Sequence, residues 1–275
     1  MPELPEVETV VRTLRPRLLG ATVEAVWTSG KGLRLARAVD QAALAKLSVG
    51  AKVEAVRRRG KYILIDLDHQ AGILVHLGMT GRLRLQAANE PRAVHTHVVW
   101  SLAGDQELRF VDPRRFGWVA ISREIGALPE VARLGPDALE ELDLPVLCDL
   151  MARSTAPLKS FLLNQQRIAG LGNIYVCEAL FRARLHPRTP ARRAVKHAAA
   201  LLRAIRTVLR VSLSNRGTSM RDFVDSEGKS GKNAMALLVY GREGEPCRVC
   251  GATVRRQQDS GRSTFVCPLC QKANR

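Results

Sequence analysis

A multidomain α+β fold is predicted by three features of this 275-residue sequence. Eight short β-like runs fill the region from residue 22 to 122, behind one amphipathic helical pattern. From about residue 129 the texture turns helical and Pro-punctuated. The C-terminus carries two pairs of cysteines spaced as in a zinc ribbon. The expected architecture is therefore an N-terminal β-sandwich with a leading helix, a helical segment and a C-terminal zinc ribbon.

The leading element follows from Val7, Val10, Val11, Leu14 and Leu18, which fall on one helical stripe, with Gly20 as its stop. Pro16 interrupts that stripe and is expected to bend or shorten the helix. The β-like runs are 22–28, 52–58, 61–68, 72–77, 82–86, 95–102, 107–111 and 117–122. Their end-of-run alternation and flanking Gly or charged turns mark strands. Leu139, Leu142, Leu147, Leu150 and Met151 suggest helices in a linker. Residues 158–166, 173–184 and 191–214 read as helices, the first two separated by Ala169-Gly170-Leu171-Gly172-Asn173. Residues 216–233 are rich in Gly, Ser and charge and read as a long loop, a length that in a compact domain marks function or disorder.

Charge separates the chain into two halves. Residues 1–150 hold 20 Lys and Arg against 19 Asp and Glu; residues 151–275 hold 23 against 7. A surplus of +16 in the second half points to a polyanion partner, with nucleic acid favoured over an acidic membrane surface because no basic amphipathic stretch comes with Trp or Phe anchors. No apolar run reaches the ~18–20 residues of a membrane span, and the acidic N-terminus lacks an apolar signal region. A cytoplasmic, nucleoid-associated location is the expectation.

Cys247-x2-Cys250-x16-Cys267-x2-Cys270 has the spacing of a four-cysteine zinc site. Two knuckles clamp a tetrahedral ion, and the residues between form a hairpin carrying Arg255, Arg256 and Arg262. A closed shell of four thiolates leaves no open position, so the zinc is structural. Cys148 and Cys177 stand apart in apolar contexts and read as small core residues.

Two further motifs can carry chemistry. If Met1 is removed, Pro2 becomes a free secondary amine beside the Glu3 carboxylate. Such an amine titrates near ~7.7–8.0 and is partly nucleophilic at neutral pH. The same residues also read as an ordinary helix start. Gly170-Leu171-Gly172-Asn173 opens a helix at Ile174 with Asn173 as N-cap, which offers N–H groups to an anion.

Four blocks then agree: Pro2-Glu3-Leu4-Pro5-Glu6-Val7-Glu8, His76-Leu77-Gly78-Met79-Thr80-Gly81, Asp112-Pro113-Arg114-Arg115-Phe116-Gly117 and Gly172-Asn173-Ile174-Tyr175. In order and separation they resemble the formamidopyrimidine-DNA glycosylase family over essentially the whole chain. Leu4 and the Pro-Arg-Arg-Phe-Gly block are closer to its 8-oxoguanine-removing branch than to the endonuclease VIII branch. The resemblance implies a catalytic β-sandwich domain with flanking helices over 1–130, a linker over 131–152, a helix–two-turn–helix DNA-binding domain over 153–240 and a zinc-finger hairpin over 241–275, with DNA in the cleft between the domains. It implies a monomeric enzyme that excises oxidised purines from double-stranded DNA and cuts the abasic strand.

The residue roles are those the resemblance implies. Pro2 is the nucleophile at C1′ and Glu3 the acid that protonates the opening sugar. Lys61 matches a lysine at the phosphate next to the lesion, and Lys159 a second lysine near the site. Glu6 matches a carboxylate near the sugar, and equally a first-turn helix charge. His76 lies in the second block. Met79, Arg114 and Phe116 match the family's probes of the duplex, Met79 and Phe116 as apolar wedges in the gap left by a flipped base and Arg114 as a hydrogen-bond donor to the orphaned cytosine. Asn173 and Arg262 match phosphate contacts. Without the resemblance, Met79 and Phe116 read as core and the two lysines as surface residues. The sequence also departs from the family: Asn164 replaces a common Asp, with a small structural consequence expected; Arg216 replaces a common glycine; and Lys232-Asn233-Ala234-Met235 follows Gly231 where aromatics are frequent. Two alternatives stay open at this point, an oxidised-pyrimidine glycosylase and a non-catalytic zinc protein that binds damaged DNA.

Overall fold

The computed structural model describes residues 2–33, 39–220, 223–259 and 261–272. Met1, whose removal matters to the chemistry above, lies outside the described residues. The chain forms two compact units, Met1–Arg133 with Asn215–Lys232, and Leu134–Ser214 with Asn233–Arg275.

The first unit opens with helix α1 (Leu4–Leu18), then β1 (Val23–Thr28), α2 (Gln41–Ser48), β2 (Val53–Arg59), β3 (Tyr62–Leu67), β4 (Ala71–His76), β5 (Arg82–Ala87), β6 (Thr96–Leu102), β7 (Gln106–Val111), β8 (Trp118–Ser122) and α3 (Pro129–Ala132). The strands build two four-stranded antiparallel sheets, ordered β1-β6-β7-β5 and β2-β3-β4-β8. Between them lies a core that includes Ile63, Ile65, Ile73, Val75, Val98, Trp100 and Phe110, joined by Val7, Val10, Val11, Leu14 and Leu18 of α1. All eight expected strands are present. Pro16 does not end α1, which runs to Leu18. At that position the ring removes one intrahelical bond from the last turn, and the Leu19 N–H still reaches the Arg15 carbonyl at 3.1 Å. Helix α2 was not foreseen: its apolar stripe is short, and its start is fixed locally by Asp40, which accepts from the Ala43 N–H.

The second unit contains α4 (Leu144–Ala152), α5 (Leu158–Leu163), α6 (Asn173–Arg182), α7 (Ala198–Ser214), and the hairpin β9 (Arg255–Asp259) and β10 (Arg262–Val266). Three expectations are corrected here. The 158–166 helix stops at Leu163, because Asn164 turns the chain: its Oδ1 accepts from the Gln166 N–H and its carbonyl from Arg167 and Ile168. The 191–214 helix is a 3-10 turn over Ala191–His197 before α7 begins. Cys148 is only half-buried, whereas Cys177 is buried as expected.

Candidate active site

In the first unit, register places the expected residues at one end of a sheet. Tyr62 pairs with His76, and His76 with Trp118. In an antiparallel sheet this brings the start of β3, the end of β4 and the start of β8 to the same edge. Lys61, Met79 and the Arg114–Phe116 turn sit directly beyond those three strand ends. The His76 ring lies 5.0 Å from that of Tyr62.

Two loops at this edge are locked backbone to backbone. Gly78 takes φ +60, and a Cβ there would come within 2.4 Å of the Phe116 carbonyl carbon and the Gly117 nitrogen. Only glycine fits this approach. Asp112, fully buried, holds the other side: it accepts from Thr80 Oγ1, from the Gly117 N–H at 2.7 Å and from the Arg114 N–H at 3.3 Å. His97 supports Asp112 in turn, its Nε2 lying 3.1 Å from the Asp112 carbonyl, and burial lowers its pKa. The side chains presented on this frame are Met79, 41% exposed, and Phe116, 37% exposed, with the Arg114 guanidinium 4.7 Å over the Phe116 ring. Neither Met79 nor Phe116 is core. Apolar side chains on a rigid turn suit insertion between bases, at little ordering cost.

Pro2 and Glu3 are buried at the entrance to α1. Glu6, 1% exposed, fixes this terminus from below. Its Oε2 accepts from the Glu3 N–H at 2.9 Å and its Oε1 from the Thr218 N–H at 2.6 Å. Of the two readings of Glu6, a carboxylate near the sugar and a first-turn helix charge, the structure shows it in the first turn of α1, both oxygens accepting backbone N–H groups that hold Glu3 and the 215–232 segment together. Gly217 (φ +86) lets the chain pass there, since a Cβ would stand 3.1 Å from Glu6 Oε1. Arg58 ties α1 to the β2–β3 hairpin through Glu8 at 3.0 Å, both side chains buried. Lys61 follows in the same turn and is buried rather than a surface lysine.

In the second unit, three expected contacts converge on Ser263. Lys159 donates to its carbonyl at 2.8 Å and to Thr264 Oγ1; Asn173 Nδ2 donates to the same carbonyl at 2.9 Å; Arg262 is the exposed neighbour. Lys159 is 1% exposed, and burial lowers its pKa. Asn173 is not the N-cap. Gly172 takes that place and Asn173 is the first helical residue, which aims its amide at β10. Sequence reasoning missed Glu178. Buried in α6, it accepts the N–H groups of Leu238, Val239 and Tyr240, each at 2.9 Å, and so anchors the chain entering the cysteine module. Its signal was a glutamate on an otherwise apolar helix face.

Cys247, Cys250, Cys267 and Cys270 bring their four sulfurs within 4.8 Å of one another. Zn–S bonds of about 2.3 Å in a tetrahedron put sulfurs roughly 3.8 Å apart; Cys247–Cys270 at 4.0 Å and Cys250–Cys267 at 3.4 Å bracket that value. The knuckle amides of Val249 and Cys270 point at Cys247 and Cys267 sulfur. Burial pushes the Cys247 thiol up, but the N–H groups of Val249 and Cys250 outweigh it and bring it to about 7. The donor set fits one structural zinc, which would cross-link the hairpin with a closed four-thiolate shell that leaves no open position.

Comparison with known proteins identifies the family. Residues 1–119 match the formamidopyrimidine-DNA glycosylase N-terminal domain, 134–224 its H2TH domain, and 244–273 the zinc finger found in FPG and IleRS. The formamidopyrimidine-DNA glycosylase of Herpetosiphon aurantiacus is 42% identical over 278 residues, covering 98% of this chain and 100% of that protein. That of Heliobacterium modesticaldum is 42% identical over 279 residues, covering 99% and 100%. The chain belongs to the formamidopyrimidine-DNA glycosylase family. Solved members superpose closely: the wild-type Lactococcus lactis enzyme with an N7-benzyl-Fapy-dG-containing DNA matches with a TM-score of 0.90 at 33% identity, and the same organism's enzyme with an abasic-site-containing DNA at 0.90 and 32%, each covering 99% of this chain and 100% of that one.

Proposed function

We propose that this glycosylase-family chain removes oxidised purines, 8-oxoguanine and formamidopyrimidines, from duplex DNA and then cleaves the abasic strand. The observation that carries the reading is the terminus: Pro2 and Glu3 are buried at the start of α1, held by Glu6, in the same unit as the Met79–Arg114–Phe116 cluster. After loss of Met1, the Pro2 nitrogen attacks C1′ of the damaged nucleotide and the base departs. Glu3 protonates the ring oxygen as the sugar opens, leaving a Pro2 iminium. The iminium acidifies the C2′ proton, so the 3′ phosphate leaves by β-elimination and the 5′ phosphate by δ-elimination. Met79 and Phe116 occupy the space of the flipped base, and Arg114 bonds the orphaned cytosine. Lys61, Asn173 and Arg262 meet phosphates, and Lys159 lies near the site, where it holds Ser263 and Thr264 of the hairpin. The domains are 1–130, a linker over 131–152, 153–240 and 241–275, acting as a monomer in the cytoplasm at the nucleoid. No described helix is long and apolar enough to cross a membrane.

Borohydride reduction during turnover of an 8-oxoguanine or abasic duplex tests the mechanism. The expected product is a covalent protein–DNA adduct at Pro2. No adduct from protein whose N-terminal mass proves Pro2 to be free would defeat it. Glu3→Gln is expected to retain duplex binding while losing most base excision; excision at the wild-type rate would remove Glu3 from the acid role.

A further inference from the structure

Between Glu178 and Asp222 the chain contains no Asp or Glu and eleven Lys or Arg. Several of these cations have structural partners: Arg188 pairs with Asp259, and Arg206 donates to the Leu142 carbonyl. Arg203 and Arg210 of α7, and Arg192, Arg193 and Lys196 of the turn before it, are exposed and have no ion-pair partner among the described residues.

Their direction follows from the helix pair. Asn173, Cys177 and Phe181 lie on one side of α6. Asn173 bonds Ser263, and Cys177 and Phe181 pack with Val254, Phe265 and Cys267 of the cysteine module. Tyr175 stands two residues, about 200°, round from Asn173 and bonds Ser212 of α7. Helix α7 therefore packs on the side of α6 that faces away from β10. On α7, Arg210 is again about 200° round from Ser212, and Arg203, nine residues away, is about 180° round. Both arginines project from the outer face of α7, opposite the face of this unit that gathers Lys159, Asn173 and Arg262.

We propose that the outer face of α7, with the Ala191–His197 turn, binds a second segment of duplex DNA while the first face holds the lesion strand. The choice of partner rests on the repair reading above; the surface itself rests on charge and geometry. The exposed residues of α7 are Arg203, Thr207, Arg210 and Ser214, all polar. With no apolar anchor, the face is suited neither to membrane insertion nor to gripping a folded protein. Arg203 and Arg210 are separated by about 10.5 Å along the helix axis, close to three base-pair steps of about 3.4 Å, so both meet phosphates of one duplex. Such contacts read the backbone without sequence and release counterions, so they are weak, salt-sensitive and quickly exchanged. An enzyme held by two segments passes between them without leaving DNA.

The test uses the full chain saturated with a short duplex carrying an uncleavable abasic analogue, titrated with a longer fluorescent lesion-free duplex. Wild type is expected to bind the second duplex, with affinity falling steeply as salt rises. The double variant Arg203→Glu, Arg210→Glu should weaken that binding by about tenfold or more at low salt. It should cleave the lesion duplex at the wild-type rate, and Arg203→Lys, Arg210→Lys should restore second-duplex binding. Three results overturn the proposal: no second duplex on the wild-type complex, equal binding by the charge-reversed variant, or parallel loss of lesion cleavage, which would place the stripe in the primary DNA surface. Displacement of the second duplex by a poly-glutamate peptide at equal charge concentration would reassign the partner to an acidic protein. Failure of lesion cleavage by wild type itself would count against the repair function, and not against this surface.

Discussion

The two units of this molecule hold their candidate site residues in place by different means. The Pro2 terminus and the Met79–Phe116 loops stand on a sandwich core that includes Trp100, Phe110 and a full face of α1. Their positions are set by buried carboxylates that accept backbone N–H groups: Glu6 from Glu3 and Thr218, Asp112 from Arg114 and Gly117. The hairpin carrying Arg262 has only a small cluster beneath it, with Val239, Val254 and Phe265 among its few apolar members. Below a certain core size, burial does not offset the entropy of ordering the chain, and a metal makes up the difference. The nucleophile role proposed for Pro2 needs fixed geometry, which a large core supplies. The phosphate contact proposed for Arg262 needs only that its hairpin persist, which four thiolates and an ion achieve.

Removing the metal is the largest perturbation that separates the two regions. Structural zinc contributes about 10–16 kcal/mol to small metal-ordered folds. A strong chelator is expected to abolish DNA binding and to unprotect the amides of β9 and β10 to hydrogen exchange, while those of β3, β4 and β6 stay protected. Loss of protection in the sandwich strands as well would show that the two regions do not fold independently.

Glu6→Gln probes the opposite region with a smaller expected effect. The amide keeps one acceptor and turns its NH2 against either the Glu3 or the Thr218 N–H. Leaving one buried donor unsatisfied costs about 1–3 kcal/mol, a fall of about 2–12 °C in the unfolding midpoint. The Thr218 amide should exchange faster and excision should slow, with zinc content unchanged. Wild-type exchange at Thr218 would mean that the contact does not hold the segment.

The sequence made some of this legible and hid the rest for physical reasons. Strands were readable because alternation and turn residues are local. The zinc site was readable because four ligands in two knuckles leave a fixed spacing. The probe residues were readable only through family resemblance: on pattern alone Met79 and Phe116 look like core, and their exposure follows from Gly78 packing against Phe116 and Gly117, a contact between distant segments. Lys159 looks like a surface lysine because nothing nearby reveals that Ser263 and Thr264, more than a hundred residues on, accept from it. The Thr218 partner of Glu6 and the whole role of Glu178 were hidden for the same reason. A buried carboxylate that accepts backbone N–H groups has partners without side-chain identity, so no residue pattern announces it. Pro16 misled because its cost depends on how near the helix end lies.

Acid provides the gentlest way to distinguish the two regions, because different groups respond in each. In the cysteine module, protonation competes with the metal for thiolate, so acid loss there depends on zinc. In the sandwich, His97 responds without metal. Its ring lies between Ser29 Oγ, 3.0 Å from Nδ1, and the Asp112 carbonyl, and burial holds its pKa below the ordinary 6.5. The unfolded chain therefore takes up this proton before the folded one does. Stability from neutral His97 is complete above about pH 6.5 and is lost as pH falls through the lower folded-state value. In zinc-saturated protein, His97→Gln should be less stable than wild type at about pH 8, with the gap narrowing towards about pH 5 as wild type alone loses this contribution. A gap that stays constant across that range would show that His97 does not titrate on unfolding. Acid sensitivity of the sandwich would then have to come from its buried carboxylates, and the Asp112 clamp on the probe loops would be independent of the imidazole beside it.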